Sequence, residues 1–219
     1  MNSVKGPMIV LAIEAAIRGG SLALLEGDRE IQSWQGLTDV SRAEDLLINI
    51  QELLYEAAID KSEVDLIASS NGPGSFTGIR IGLATALGLN NSLGIPCRGV
   101  SLLEALAAKF SNFPKIVVAV PVGRNDICHQ AFEREHGILK PVAMPRSENK
   151  ESFTTFFNED SGYDFLIQHD LYINLQLNDE HVHPIEINLA YAVGLAARNN
   201  DLASNMEPFY IQNTRIAST

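Results

Sequence analysis

Asn71-Gly72-Pro73-Gly74-Ser75-Phe76-Thr77-Gly78-Ile79-Arg80-Ile81-Gly82 joins an apolar run at residues 65–70 to a proline-free segment of helical length at residues 77–91. The run reads as a buried strand, Gly-Pro-Gly as a sharp turn, and Ser75 or Thr77 as the N-cap of a helix. Free N–H groups at such a helix start favour anions, which invites a phosphate reading. Phosphate-loop spacing requires Lys-Ser/Thr after the last glycine, whereas Gly78 leads into Ile79-Arg80, so that reading is weak. Gly74, Gly78 and Gly82 recur every four residues and line up a stripe without side chains. Each interior glycine costs roughly 1 kcal/mol relative to alanine, so the stripe predicts another backbone packed closely against it. The other positions (Ile79, Ile81, Leu83, Ala84, Ala86, Leu87, Leu89) are apolar nearly all round. A helix of that kind in a soluble protein is buried on both sides. One side is expected to rest on the chain's own sheet, and the other to be covered by a second protein.

Upstream, residues 8–16 and 21–26 are strand-like and joined by Ile17-Arg18-Gly19-Gly20, a hairpin signature. A third strand is expected at residues 30–35. Ser41-x-x-Glu44 forms a capping box that opens a helix over residues 42–59. Its apolar positions (Ala43, Leu46, Leu47, Ile50, Leu53, Leu54, Ala57, Ala58) make a stripe wide enough to face a sheet and a neighbouring helix together. Downstream, residues 96–100 read as a strand, and Ser101-x-x-Glu104 caps a helix running to about Phe110. Ser111-Asn112-Phe113-Pro114 punctuates the chain and marks a domain boundary. Strands are expected at residues 115–120, 127–133, 164–168 and 171–175, a helix at 185–198 with Pro184 near its start, and a strand-like tail at 207–211. Residues 135–160 are polar and poorly periodic. No internal repeat is visible.

Composition narrows the function. The 219 residues carry a formal net charge of −11, which disfavours independent, tight nucleic-acid binding and suits a basic partner. The 2 cysteines, Cys97 and Cys128, offer neither a disulfide framework nor metal spacing, as in a cytoplasmic protein. The apolar stretch at residues 81–97 is interrupted by Asn90-Asn91, Gly94 and Pro96, so no membrane span is expected. His129, His136, His169, His181 and His183 form no H-x-x-x-H pair, and no metal site is expected. No G-x-S-x-G elbow is present, and Ser101 and Glu104 are explained by capping. Glu14 stands alone among apolar residues of the first strand. It is the one weak candidate for positioning Mg²⁺-ATP, against the plainer reading of an acid at the solvent-facing mouth of the sheet.

The stretch from Gly72 to Gly82, followed by Gly94-Ile95-Pro96 and Gly99-Val100-Ser101-Leu102-Leu103-Glu104-Ala105-Leu106, resembles the TsaB (YeaZ) family. Residues 9–13, 41–54 and 207–211 are similar more loosely. The resemblance implies an α/β fold of the actin/Hsp70-like (ASKHA), ribonuclease H-like type, with mixed sheets flanked by helices. It divides the chain into residues 1–110, carrying the partner helices, and a reduced domain at residues 111–219 whose terminal segment can pack back on the first. It implies a non-catalytic subunit that activates or stabilises a TsaD-like transferase acting on adenosine in tRNA. A TsaE-like ATPase would join the assembly, tRNA would be met only through the complex, and the chain alone would form a homodimer. No cofactor is expected on the chain. The implied interface comprises Ala43, Leu46, Leu47, Ile50, Leu54, Gly74, Gly78, Gly82, Leu83 and Leu87. Where the family has Asp followed by Thr/Ser, this chain has Glu14-Ala15-Ala16. Val40-Ser41 replaces His-Ser, and residues 121–126 replace an Asp-Ala-Arg-Arg-Gly-Glu turn. These departures weaken a nucleotide role and leave the helices intact. The rival reading is a self-sufficient actin-fold phosphotransferase using Glu14. A peptidase has no motif to support it.

Overall fold

The computed structural model describes residues 6–37, 45–110, 112–135, 138–159, 162–177 and 179–211. In chain order the first half runs β1 (Ile9–Glu14), β2 (Ser21–Glu26), β3 (Arg29–Gln35), α1 (Leu46–Glu56), β4 (Leu66–Gly72), α2 (Phe76–Leu93), β5 (Cys97–Ser101) and α3 (Leu102–Lys109). The second half runs β6 (Lys115–Val122), β7 (Asp126–Glu135), β8 (Ile138–Pro141), β9 (Arg146–Asn149), α4 (Lys150–Glu159), β10 (Asp164–Gln168), α5 (His169–Leu175), β11 (Val182–Ile185), α6 (Leu189–Ala197) and β12 (Ala203–Ser204). The first sheet has the order β12-β5-β4-β1-β2-β3, and the second β11-β10-β6-β7-β8, with β9 also on β7. In each, three strands run parallel (β5, β4, β1 and β11, β10, β6), and the innermost of these is extended by an antiparallel hairpin. The two halves therefore repeat one topology although no sequence repeat announces it.

Alternation along the strands sorts the helices. Leu11, Ile13, Leu22, Leu24 and Ile67 face one side of the first sheet, where Leu46, Ile50 and Leu53 of α1 and Ala86 of α2 bury against them. Val10, Ala12, Ala23, Leu25 and Ala68 face the other side and pack with α3 and α6. The C-terminal helices are exchanged between halves: α3 leans on β6, whereas α6 lies on β1 and β2. Asn188 fixes that return by capping Tyr191 N and donating its side-chain amide to the carbonyls of Leu22 and Trp34. Residues 189–211 thus pack back on the first half, through α6 on β1 and β2 and through β12 on β5, while α3 leans toward the second.

Several local expectations change. Residues 171–175 form a helix, because Leu171 and Leu175 bury together one turn apart and Gln168 caps Leu171 N. The stretch 135–160 is ordered over much of its length: β8, β9 and α4 lie in it. Helix α4 carries Phe153, Phe156 and Phe157 at three-and-four spacing toward the second core, and Asn149 accepts Ser152 N–H at its start. Ile185 ends a strand, so the last helix begins at Leu189. Residues 207–211 form no strand; Phe209 N–H donates to Asn71 O at 2.7 Å. The Ser41–Glu44 capping box lies outside the described residues.

Ser75 caps α2, its hydroxyl accepting Gly78 N–H. The same helix start is pressed against the turn between β1 and β2. Ser75 N–H donates to Ala16 O at 2.7 Å. A Cβ on Gly74 would lie 2.5 Å from Ala16 O, and one on Gly78 2.0 Å from Ala15 O. At Gly82 it would meet Ala15 Cβ and Ser69 Oγ at 3.3 Å. The backbone that approaches the glycine stripe is therefore the chain's own hairpin rather than a second protein's. Gly88, in contrast, has open space where a Cβ would be. Gly78→Ala should lower the melting temperature, with a cost of about 1–3 kcal/mol from forced overpacking. Gly88→Ala should raise it by a gain of about 0.5–1 kcal/mol from helix propensity. Thermal unfolding of the two variants beside the parent checks both signs.

Candidate functional site

With α2 rotated so that its glycines meet the hairpin, the opposite arc looks away from the sheet. Phe76, Arg80, Ala84, Leu87 and Gly88 are exposed there, while Ile79, Gly82, Leu83 and Ala86 are buried. Helix α1 is split in the same way: Leu46, Ile50 and Leu53 point inward, and Leu47, Ile48, Gln51, Glu52 and Tyr55 outward. Leu47 is 58% exposed, Tyr55 86% and Leu87 38%. Both helices cover one face of the first sheet, so both outer arcs look away from it on the same side.

The expected interface residues divide accordingly. Leu47 and Leu87 lie on the outer surface. Leu46, Ile50 and Leu83 are core residues, Leu54 is half-buried, and Gly74, Gly78 and Gly82 serve the hairpin contact. Ala43 lies outside the described residues. Sequence reasoning missed Ile48, Tyr55, Phe76, Arg80 and Gly88. Their signal was the second arc of each helix, which a wide apolar stripe conceals until the sheet's position is known.

A second feature joins this surface at the start of α2. The Phe76 and Tyr210 rings stack with centroids 4.7 Å apart, and the Arg80 guanidinium lies 3.7 Å over the Phe76 ring. Arg80 Nε–H donates to Tyr210 Oη at 2.9 Å.

Between the two sheets lies a cleft of about 1460 Å³, bordered by the β1–β2 turn, the start of α2, the β6–β7 turn and the starts of α4 and α5. Glu14 ends β1 beside it and is only 1% exposed, so it is not an acid at a solvent-facing mouth. Its Oε1 accepts Ala16 N–H at 2.6 Å and Ile17 N–H at 3.0 Å, while Oε2 is buried without a partner among the described residues. Burial pushes its pKa up to about 7, against the pull of those two backbone hydrogen bonds. The turn's N–H groups are thereby engaged by the chain's own carboxyl. Arg124, Asn125 and Asp126 of the departed turn motif border the cleft.

The remaining candidates have structural roles. His129 is buried between Phe153 and Phe156 with Glu148 at 3.6 Å, and burial pulls its pKa down. His181 and His183 both approach Asp164, at 3.5 and 3.0 Å. No group of three or more metal-ligating side chains is assembled among the described residues, and His136 lies outside them. Ser101 caps α3 by accepting Glu104 N–H. No helix among the described residues is long and apolar enough to cross a membrane.

The family described as TsaD, tRNA N6-adenosine threonylcarbamoyltransferase, matches residues 39–147. The chain is 24% identical over 200 residues to the tRNA threonylcarbamoyladenosine biosynthesis protein TsaB of Bacillus subtilis, covering 91% of this chain and 85% of that protein. It is 28% identical over 135 residues to the Escherichia coli protein of the same name, covering 60% of this chain and 58% of that one. For the Buchnera aphidicola protein the figures are 37% over 101 residues, 46% and 48%. The chain thus spans about half the length of these last two relatives. Among solved structures, YeaZ from Pseudomonas aeruginosa superposes with a TM-score of 0.69 at 22% identity, over 93% of this chain and 100% of that chain. Component A of the (R)-2-hydroxyglutaryl-CoA dehydratase of Acidaminococcus fermentans gives 0.51 at 9% identity, over 86% and 96%. The fold is the actin/Hsp70-like (ASKHA) α/β fold, with two mixed sheets flanked by helices. With its turn motif, its paired sheets and the relatives found along nearly its whole length, the chain belongs to the TsaB/YeaZ family.

Proposed function

We propose that this chain is a non-catalytic subunit that binds and stabilises a TsaD-type transferase, and so supports threonylcarbamoylation of adenosine in tRNA. The observation that carries the reading is the pair of outward faces of α1 and α2 on one side of the first sheet, where Leu47, Ile48, Tyr55 and Leu87 are exposed and Gly88 has open space in place of a side chain. Exposed apolar surface of this kind marks an interaction site, and burying it is worth about 25 cal/mol per Å² before association costs. Gly88 weakens the helix and has no neighbour in the monomer that demands it, which suits a close approach by another backbone. The subunit works in the cytoplasm, meets tRNA through the complex, and is joined there by a TsaE-type ATPase. In isolation it covers the same surface by forming a homodimer.

The rival phosphotransferase would need Glu14 facing a metal-nucleotide. Its carboxyl is instead turned into the hairpin, where it takes the N–H groups of Ala16 and Ile17 that a phosphate would use. An anion placed there would also meet a buried carboxyl of like charge once Glu14 ionises.

Three outcomes are expected. Leu47→Glu and Leu87→Glu should each weaken binding to the host's TsaD-type transferase by about ten-fold or more while circular dichroism and melting temperature stay near the parent's. Undiminished affinity in a folded variant would count against the docking role. Calorimetry with Mg²⁺ and ATP should show no micromolar binding; binding that Glu14→Ala abolishes would instead favour the phosphotransferase. Finally, Glu14 rises from 4.5 in the unfolded chain to about 7 when folded, so the native state holds a proton that the unfolded chain releases between those values. Its stabilising contribution is complete below the lower value and is lost as pH rises to the upper one, by up to roughly 3 kcal/mol. Glu14→Gln keeps an acceptor without a charge and should flatten that stretch of the melting profile; an unaltered profile assigns the dependence to another group.

A further inference from the structure

Arg80 is the only charged residue in α2, and it lies on the outward arc with Ala84, Leu87 and Gly88. An exposed arginine on a helix ordinarily samples many rotamers. This one is held by two contacts that brace each other: its guanidinium lies 3.7 Å over the Phe76 ring and its Nε–H is bonded to Tyr210 Oη, while the Tyr210 ring stacks on Phe76. The terminal nitrogens have no partner among the described residues, and the side chain is exposed. A flat guanidinium with one edge free is built to receive a carboxylate through two parallel hydrogen bonds. Fixing it in advance removes the ordering cost that docking would otherwise meet.

Tyr210 reaches this position from 130 residues away because the chain after α6 is strapped to the first sheet. β12 pairs with β5, Ser204 Oγ accepts the Asn71 side-chain amide at 2.9 Å, and Phe209 N–H donates to Asn71 O at 2.7 Å. Gly72 makes room for the strap, since a Cβ there would lie 2.7 Å from Phe209 O. The strap thus ends at the edge of the docking surface and completes it.

We propose that Arg80, clamped between Phe76 and the strap residue Tyr210, receives an aspartate or glutamate of the TsaD-type partner and sets the register in which the two subunits dock. The inference rests on the docking role proposed above for α1 and α2. Charge supports it. The chain is acidic overall, at −11, α1 presents Glu52 and Glu56, and Arg80 is the one charged residue of α2, so this cation singles out an acidic point on the partner. The same isolation speaks for a protein carboxylate over an RNA phosphate backbone, whose affinity comes from many cations together.

The test titrates the purified TsaD-type transferase of the same host with the parent chain and with Arg80→Ala, Arg80→Lys, Tyr210→Phe and Leu87→Glu, and records each melting temperature. Arg80→Ala and Arg80→Lys are expected to weaken binding by about ten-fold, because a lysine ammonium cannot form the fork. Tyr210→Phe should weaken it less, and the salt dependence of the parent should be reduced in Arg80→Ala, which removes the charge. Arg80→Lys keeps the aliphatic stem and serves where Arg80→Ala does not fold. If the Arg80 variants lose thermal stability but bind as the parent does, the stack is a clasp for the strap and the proposal is overturned. If Leu87→Glu alone weakens binding, the docking surface stands and the role of Arg80 falls; if none weakens it, both fall. Binding of tRNA by the isolated chain that Arg80→Ala abolishes would place an RNA contact here and overturn the proposal as well.

Discussion

The contact between the β1–β2 turn and the first turns of α2 governs the molecule. A carbonyl at Ala15 sits where a side chain at position 78 would be, and Ala16 O takes the N–H of Ser75. Because an α-helix advances about 100° per residue, fixing one position fixes every other. Gly78 against the hairpin turns Ile79, Leu83 and Ala86 toward the core and leaves Arg80, Leu87 and Gly88 outside. The outward apolar face of α2 is therefore a consequence of backbone packing on the opposite side of the same helix.

Glu14 contributes to that contact from beneath. A carboxyl that caps two N–H groups of its own turn holds the turn in shape, which lets the turn serve as a floor for α2. The energetic tension is plain: burial opposes the charge while the two backbone donors favour it, and burial prevails. A group so placed stiffens the hairpin and leaves the cleft beside it without those donors.

Much of this architecture could be read from the chain. The Gly-Pro-Gly turn, the serine caps at Ser75 and Ser101, and the hairpin ahead of them are local signals, and each is where local chemistry requires it. The second half was less legible for physical reasons. Helix α4 buries only aromatic residues at 153, 156 and 157 amid polar ones, so its mean hydropathy hides its periodicity. Helix α5 is too short for a period to outweigh the alternation of Leu171, Ile173 and Leu175. The strap and the return of α6 depend on contacts far apart in sequence, such as Asn188 with Leu22 and Phe209 with Asn71, and nothing nearby foretells them. The outward apolar faces were half legible: an apolar helix announces more than one apolar side, but only the position of the sheet tells Leu46 from Leu47.

The exchange of α3 and α6 bears on how the molecule can move. Each sheet is roofed by a helix that follows the other sheet's last strand, or lies against the other half's hairpin, so the halves are woven together rather than joined by a hinge. Spreading the cleft would shear α6 across Ala12 and Leu25, where Gly194 leaves no slack, the Leu25 methyl lying within 2.6 Å of the missing side chain. A change in the angle between the two sheets therefore has to carry α6 with it, because the helix packs on β1 and β2 while following β11.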